Sequence, residues 1–393
     1  MPTELRPLGI QCNLRCCYCY QKHQRDAEVI SQPYQMEMIK SALGRGKASF
    51  VLFGGEPLLV PETDLEDLWC WGLHRFGRNG IQTNGTLINE NHIRMFKDYN
   101  VRVGISIDGP GELNDARWVR SVETTRNATA NTEAAIRRLC KENVHTSLIV
   151  ALHRKNATEE KLPQLTIWLK EMDQIGICSV RLHILEVDDP LVQKEYALST
   201  EENIHALLHF SQVERELKRM SFDVFRDIRR LLVGRDGHCT CCWAACDPYS
   251  TASVRGLEGT GKRTICGRAN KDGVDYVKSD TQGYERYIAL YISPQACGGC
   301  KGCRYFLMCK GQCPGTAIAG DWRNRTEHCQ VWKALFEHFE KEMQAEGNEQ
   351  MLSDELRRVL EAELIRVWST GHNISMEHLL QKVRKPLPLK LPE

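Results

Sequence analysis

Short apolar runs alternate with longer amphipathic stretches over the first 186 residues of the chain. Six of the short runs are rich in β-branched and apolar residues, which is typical of strands. These predicted strands are RPLGIQC ending at Cys12, SFVLFGG at 49–55, GIQTNG at 80–85, VRVGISID at 101–108, HTSLIVAL at 145–152 and SVRLHILE at 179–186. Between them, apolar residues three and four positions apart predict helices at 34–44, 65–77, 89–98, 131–142 and 161–174. The alternation predicts βα units around a parallel sheet.

The ends of these strands indicate which parallel fold is formed. A cysteine-rich run, Gly54–Pro57, Thr83–Gly85 and Ser106–Pro110 all fall at the carboxyl ends of predicted strands. Barrel enzymes build their sites at that end of the sheet, whereas an open doubly wound sheet gathers its ligand at one switch point. The predicted fold class is therefore α/β, with a partial (β/α)6 barrel.

Beyond residue 200 the pattern changes. Residues 201–233 predict one long charged amphipathic helix, and the chain is then rich in Cys and Gly through residue 329. Helical periodicity returns at about 330–384, before a proline-rich tail, KPLPLKLPE. We predict a barrel over 1–200, a helical bridge over 201–237, a Cys-rich domain over 238–330, and C-terminal helices with the tail over 331–393.

Composition narrows the functional class. The chain has 393 residues, 42% of them hydrophobic, and a formal net charge of +1, so no overall field favours nucleic acid or an anionic membrane as a partner. The sequence contains no secretory signal and no run of about 18 apolar residues, which predicts a cytoplasmic protein. Its 18 cysteines, most of them in two groups, therefore indicate metal ligation rather than disulfides.

The first cysteine group is CNLRCCYCY, in which Cys12, Cys16 and Cys19 have the spacing CxxxCxxC. One interpretation is a zinc site, for which His23 is the nearby fourth ligand. The other is a cubane iron–sulfur cluster in which three thiolates bind three irons and the fourth iron stays open to a ligand. The spacing resembles that of radical SAM enzymes, whose open iron binds S-adenosylmethionine; in this register Cys17 is not a ligand.

Three further segments resemble the same family. The GGEP sequence after the second strand resembles the family's cofactor-binding turn, and QTNGTLIN and ISIDGP resemble segments that line the cofactor cleft. The resemblance implies the cofactor-binding residues Gly54, Gly55, Glu56, Pro57, Asn84 and Ser106. Read without it, each segment is an ordinary turn at a strand end, and Asp108 with Gly109 and Pro110 is read as a turn. Arg117, Arg120 and Arg126 are all candidate partners for the cofactor carboxylate.

The second cysteine group has the pattern Cx14Gx4C from Cys246 to Cys266, then CxxCx5CxxxC and a later Cys. This pattern resembles the SPASM domain, a C-terminal module that binds auxiliary iron–sulfur clusters. The resemblance implies one [4Fe-4S] cluster bound by Cys246, Cys266, Cys313 and one of Cys239, Cys241 or Cys242, with Cys241 chosen here. It implies a second cluster bound by Cys300, Cys303, Cys309 and Cys329. A zinc-binding module of similar spacing is the alternative.

Together these resemblances imply a radical SAM/SPASM enzyme that takes hydrogen from a ribosomally made precursor peptide and installs a cross-link or related modification. In the sulfatase-maturating subgroup an Asp commonly follows the second Cys of the Gx4C segment, and Gly267 stands there instead, so that subgroup is the alternative. A nonenzymatic iron–sulfur electron-transfer protein is a third interpretation. The expected partners are the precursor peptide and an electron donor such as flavodoxin or ferredoxin. The peptide leader is expected to be recognised by a separate leader-binding protein, by the SPASM module or by the C-terminal helices. The sequence names no catalytic base.

Overall fold

The computed structural model describes most of the chain. The described residues are 2–22, 24, 33–186, 189–247, 254–269, 283–348 and 350–384. The described chain divides into two compact units, the first within Met1–Phe225 and Val254–Lys278 and the second within Arg226–Ser253 and Ser279–Glu393. Among these residues, no helix combines the length and the hydropathy that crossing a membrane requires.

One sheet forms the centre of the first unit, and nine strands are seen in it within the described residues. They are β1 (Thr3–Arg6), β2 (Phe50–Leu52), β3 (Asn79–Thr83), β4 (Val101–Ser106), β5 (Thr146–Leu152), β6 (Ser179–Ile184), β7 (Ser221–Phe222), β8 (Arg255–Glu258) and β9 (Arg263–Thr264). Their order is β7-β6-β5-β4-β3-β2-β1-β8-β9. Every neighbouring pair is parallel except the antiparallel pair β8 and β9.

Helices follow the strands of this sheet. They are α1 (Met36–Gly44), α2 (Glu62–Phe76), α3 (Glu90–Asp98), α4 (Val122–Lys141), α5 (Leu162–Ile175), α6 (Pro190–Tyr196) and α7 (Thr200–Glu214). Capping side chains begin several of them: Asn89 accepts from the backbone N–H of His92, and Ser121 from that of Thr124. This succession of strands and helices confirms the predicted α/β fold with a parallel barrel-type sheet.

The first strand is shorter than predicted. β1 ends at Arg6 instead of running to Cys12, because Pro7 has no backbone N–H and Gly9 turns the chain with a φ of 56°. Residues 7–11 therefore form a turn that leads into the cysteines.

The long helix predicted over 201–233 is also wrong. The structure has two helices there, α7 and α8 (Asp223–Leu232), with β7 between them. The buried carboxylate of Asp173, on α5, accepts hydrogen bonds from the backbone N–H groups of 218–220 at 2.7–3.0 Å, which turns the chain between the helices. β7 then pairs with β6.

Strands β8 and β9 enlarge the sheet beyond the six predicted strands. β8 pairs in parallel with β1, so that Leu257 lies opposite Leu5. The buried guanidinium of Arg6 joins this hairpin to β1, since it pairs with Glu258 and donates to Thr264 Oγ1 at 2.7 Å. Residues 254–269 thus lie in the first unit, although the sequence-based domain boundaries grouped them with 238–330; those boundaries stay a prediction.

The second unit is built around aromatic side chains. Besides part of α8, its helices are α9 (Glu285–Ile292), α10 (Phe306–Cys309), α11 (Cys329–Ala345), α12 (Asp354–Trp368) and α13 (Met376–Arg384). Trp243 packs edge-on against Trp332 and Phe336, and Trp368 stacks on Tyr284 with a centroid separation of 5.9 Å. The tail KPLPLKLPE lies outside the described residues.

Candidate active site at the carboxyl ends of the strands

A cavity of about 200 Å³ opens in the first unit where the parallel strands end. We call it the cysteine cavity, because Cys12, Cys16 and Cys19 all line it. Of the other predicted site residues, four line it as well: Gly54, Gly55, Asn84 and Ser106. Glu56 and Pro57 are buried and do not line it. The structure thus brings together residues from the ends of four strands, as the barrel prediction requires.

The cysteine loop is fastened by its backbone. Arg15 N donates to Trp118 O at 2.7 Å and Cys17 N donates to Ala116 O at 2.8 Å, which ties the loop to the segment after β4. All three thiols face this one cavity. Burial is the main cause that raises the pKa of Cys12 and of Cys16; Glu56 and Cys19 add to the rise at Cys12, and Cys19 and Cys12 add to it at Cys16. Three clustered thiols on one wall of a cavity suit a cluster that leaves one iron open to a ligand.

A single-metal site was the alternative for these cysteines. Among the residues that the structure describes, no three His, Cys, Asp or Glu side chains are arranged to hold one metal ion. His23, the candidate fourth zinc ligand, lies outside the described residues.

Two glycines allow the turn before Cys12 to contact the end of β2. Gly55 N donates to Gly9 O at 2.9 Å and Glu56 N donates to Gln11 O at 2.7 Å. A Cβ on Gly55 would lie 1.9 Å from Gln11 O, so no side chain fits there. Gly54 has a φ of 127°, which L-residues rarely adopt.

Glu56 is buried, and its carboxylate accepts hydrogen bonds from three protein donors: Leu58 N at 3.0 Å, Thr83 Oγ1 at 2.7 Å and Asn84 N at 2.8 Å. Its role in cofactor binding stays a prediction. Burial raises the pKa of Glu56, although these hydrogen bonds counteract it. The side chain therefore joins the end of β2 to the end of β3 and holds Asn84 at the cavity.

Asn84 and Ser106 present polar groups to the cavity. Asn84 Nδ2 donates to Asn13 Oδ1 at 2.8 Å and lies 3.9 Å from Cys12 Sγ. Ser106 Oγ accepts from Gln82 Nε2 at 2.8 Å. Both side chains are therefore oriented by protein hydrogen bonds before any ligand binds.

A buried ionic network beside the cysteines was missed in the sequence, where Asp108 was read as a turn residue. Asp108 is fully buried; Arg117 Nε lies 3.1 Å from its Oδ1, and His153 Nε2 lies 3.2 Å from its Oδ2. The hydroxyl of Tyr18 donates to the same carboxylate. Burial alone would raise the pKa of Asp108, but Arg117 and the hydrogen bonds from His153 and Tyr18 lower it to about 2.

A second charged cluster lies at the end of β6. Arg268 Nη1 is 2.9 Å from Glu186 Oε1, and Arg268 Nη2 is 2.6 Å from His183 Nε2; all three residues line the cysteine cavity. Charged residues in HILE at a strand end were a signal for Glu186, but nothing in the sequence pointed to Arg268. It reaches the cavity because the turn after Cys266 packs against the cysteine loop, where a Cβ on Gly267 would lie 3.3 Å from the hydroxyl of Tyr20 and 3.5 Å from Gln21 Nε2.

The cysteines of the second group fall in both units. In the second unit, burial first and then the thiols of Cys300, Cys303 and Cys329 raise the pKa of Cys309, so these three thiols lie within electrostatic range of it. Cys241 begins a short 3-10 turn, and Cys246 lies near Tyr287. Cys266 belongs to the first unit and Cys246 and Cys313 to the second, so the ligand set that joins them stays a prediction.

Comparison with known proteins gives the class to which this site belongs. Residues 7–165 match the radical SAM superfamily. This match confirms the predicted enzyme class, a radical SAM enzyme, and the predicted cofactors, a [4Fe-4S] cluster and S-adenosylmethionine. The stretch 7–165 contains Cys12, Cys16 and Cys19 and the segments after β2, β3 and β4.

Several proteins to which the chain is similar are anaerobic sulfatase-maturating enzymes. The chain is 22% identical over 374 residues to a cysteine-type anaerobic sulfatase-maturating enzyme of Clostridium perfringens, covering 85% of this chain and 95% of that protein. A serine-type enzyme of Klebsiella aerogenes is 28% identical over 165 residues, which cover 39% of this chain and 40% of the relative. A solved structure described as native anSMEcpe with bound AdoMet and Cp18Cys peptide has a TM-score of 0.69 at 20% identity, covering 88% of this chain and 100% of that one. At 20% identity, this structural similarity is evidence for a shared fold only.

Proposed function

We propose that the chain is a radical SAM enzyme that removes hydrogen from a residue of a peptide. The observation that carries the proposal is the cysteine cavity, in which Cys12, Cys16 and Cys19 share one enclosure with Gly54 and Gly55. When bound there, the cluster and S-adenosylmethionine supply a carbon radical that abstracts hydrogen. The three thiolates hold three irons, and the surrounding cavity limits the access of water to the reacting atoms.

Among the three candidate arginines, we propose Arg117 as the partner of the cofactor carboxylate. Arg117 lines the cavity with a side chain that is 11% exposed. Arg126 instead pairs on the surface with Asp115 at 2.9 Å, and Arg120 is exposed. A guanidinium held at the cavity wall can bind a carboxylate with two parallel hydrogen bonds.

For the substrate, we propose a ribosomally made precursor peptide. Position 267 supports this choice, because the sulfatase-maturating subgroup commonly has an Asp base there and this chain has Gly267. A Cβ at that position would lie 3.0 Å from Arg6 Nη1 and 3.3 Å from the hydroxyl of Tyr20, so an aspartate would need neighbouring side chains to move. The modification is a cross-link or a related loss of hydrogen.

Sulfatase maturation is the second candidate, and a specific observation favours it. The Clostridium perfringens enzyme aligns with 85% of this chain and with 95% of its own length, so the likeness extends past the radical SAM domain. In this candidate the chain oxidises a Cys or Ser of a sulfatase to formylglycine.

One experiment separates the candidates. The protein, reconstituted anaerobically with iron and sulfide, is given S-adenosylmethionine, dithionite and one of three peptides: a Cys-type sulfatase peptide, a Ser-type one, or a short peptide encoded beside its gene. Mass spectrometry that finds loss of hydrogen only in the gene-neighbour peptide supports precursor maturation. An aldehyde in a sulfatase peptide supports the second candidate. No change in any peptide during continued cofactor cleavage would contradict a peptide substrate among these classes.

We further propose that the cysteines of the second group bind two auxiliary clusters, which gives roughly 12 irons per chain with the front cluster. The mutual proximity of the four thiols around Cys309 supports one of them. Replacing Cys300, Cys303, Cys309 and Cys329 by Ala should remove about four irons and leave cofactor binding at the front cluster. An unchanged iron content would contradict this ligand set. A flavodoxin or ferredoxin is the proposed electron donor.

We also propose that the helices after residue 330 help to recognise the precursor leader, with a separate leader-binding protein or the SPASM module as alternatives. Peptide affinity that is unchanged after residues 350–393 are deleted would count against these helices.

A further inference from the structure

The carboxylate of Asp108 is a buried charge whose partners come from three separate segments. Tyr18 belongs to the cysteine loop, Arg117 to the segment after β4, and His153 directly follows β5. Ala151 N, on β5, donates to Asp108 Oδ1 at 3.1 Å. A buried carboxylate is costly unless its charge and its hydrogen-bonding capacity are met; here Tyr18, His153 and Ala151 hydrogen-bond to it and Arg117 forms an ion pair with it.

Asp108 does not itself line the cysteine cavity, but two of its ionisable partners do. Tyr18 and Arg117 line the cavity, whereas His153 is fully buried and does not. The Arg117 guanidinium also lies 5.9 Å from the centre of the Tyr18 ring. The carboxylate therefore contacts two cavity-lining side chains without lining the cavity itself.

The backbone of Asp108 is itself held by hydrogen bonds on both sides. Its backbone N–H donates to Asn114 Oδ1 at 2.8 Å, and its carbonyl accepts from Asn156 Nδ2 at 2.8 Å. An arginine side chain has several rotatable bonds and loses its preferred direction when its anchor is removed. The anchor thus decides where the Arg117 charge is presented.

We propose that Asp108 is a positioning residue that fixes Arg117 and Tyr18 at the cavity wall beside Cys16, so that Arg117 presents its charge to the carboxylate of S-adenosylmethionine. The inference rests on the proposed role of Arg117. Asp108 acts through these side chains and does not touch the ligand.

The test is a double-mutant cycle on the reconstituted protein. The dissociation constant of S-adenosylmethionine is measured by equilibrium dialysis for wild type, Asp108→Asn, Arg117→Ala and the double variant, with iron content and melting temperature recorded for each. We expect Asp108→Asn to weaken binding about tenfold in the wild-type background and to have no further effect once Arg117 is Ala. Equal weakening in both backgrounds would show a general structural role and overturn the proposal.

A control variant and a substitute variant separate a positioning role of Asp108 from a general loss of structure. Asp115→Asn removes a carboxylate of the same segment that faces Arg126 on the surface, and it should leave cofactor affinity unchanged. If Asp108→Asn fails to fold, Tyr18→Phe removes one hydroxyl from the same carboxylate and enters the same cycle. Unchanged affinity in Arg117→Ala would refute the proposed role of Arg117, whereas weakening in Arg117→Ala without weakening in Asp108→Asn would refute only the positioning role.

Discussion

Gly55 is the position at which one added carbon should most selectively damage the cofactor site. In Gly55→Ala the new Cβ would lie 1.9 Å from Gln11 O and 2.5 Å from Ile10 O, both of which are backbone atoms. To restore a tolerable contact, the turn before Cys12 would have to retreat by roughly 1 Å, because packed interiors do not absorb such an overlap. The first cysteine of the loop would move with that turn.

The energetic cost follows from the contacts at this point. The retreat breaks or lengthens two hydrogen bonds, from Gly55 N to Gly9 O and from Glu56 N to Gln11 O. At about 1 kcal/mol for each hydrogen bond and about 1–3 kcal/mol for overpacking, the first unit should lose about 3–5 kcal/mol of its free energy of unfolding.

Two assays check this prediction. Urea unfolding of the metal-free protein, followed by circular dichroism, reports the loss of stability. Anaerobic reconstitution should show that about four of roughly 12 irons are missing, since the auxiliary cysteines are untouched. Gly46→Ala is the matched control, because its Cβ would meet Leu43 O at 3.5 Å and Ala48 N at 3.9 Å, which are ordinary contacts, and it should change stability by less than about 0.5 kcal/mol. Wild-type stability and iron content in Gly55→Ala would refute the steric argument.

Three further predictions concern the scaffold of the first unit. Backbone N–H donors lower the pKa of Asp173 despite its burial, so the stability that this carboxylate contributes should be full above the unfolded-state pKa and be lost as pH falls through the folded-state pKa. Asp173→Asn should therefore flatten the acid limb of a curve of unfolding free energy against pH, and an unchanged curve would contradict this. Ile105→Ala, at a fully buried position of β4, should cost about 2–5 kcal/mol in urea unfolding, and a loss below about 1 kcal/mol would refute its core role. Arg6→Met leaves the Glu258 carboxylate without its guanidinium and should lower the free energy of unfolding by about 3–5 kcal/mol. Combining it with Glu258→Gln should recover part of that loss, and no recovery would argue against the ion pair.

The sequence predicted the parts of the fold that local patterns encode. β3, β4, β5 and β6 lie within the predicted strands or within one residue of them, because alternating helical and β-branched segments are a local signal. The hairpin of β8 and β9 was missed because its pairing joins Arg255 to Thr3, more than 250 residues away. Such a contact has no counterpart in local periodicity.

In the candidate site, too, the features set by local spacing were predicted, and the contacts between residues distant in the sequence were missed. CxxxCxxC and GGEP are fixed spacings, and the structure gathers the three cysteines and both glycines around one cavity. The network around Asp108 joins residues from positions 18 to 153, and an Asp–Gly–Pro sequence taken alone reads as a turn. The Glu56 carboxylate accepts hydrogen bonds from Leu58, Thr83 and Asn84, and the spacing of the GGEP segment does not predict these contacts.

The most direct test of the account is the formation of 5'-deoxyadenosine by the anaerobically reconstituted protein after addition of S-adenosylmethionine and dithionite. The account predicts that the nucleoside forms with the wild type and is abolished when Cys12, Cys16 and Cys19 are replaced by Ala, while the iron bound by the other cysteines remains. An iron-loaded wild-type protein that forms no 5'-deoxyadenosine, or a triple variant that still forms it, would contradict the central claim.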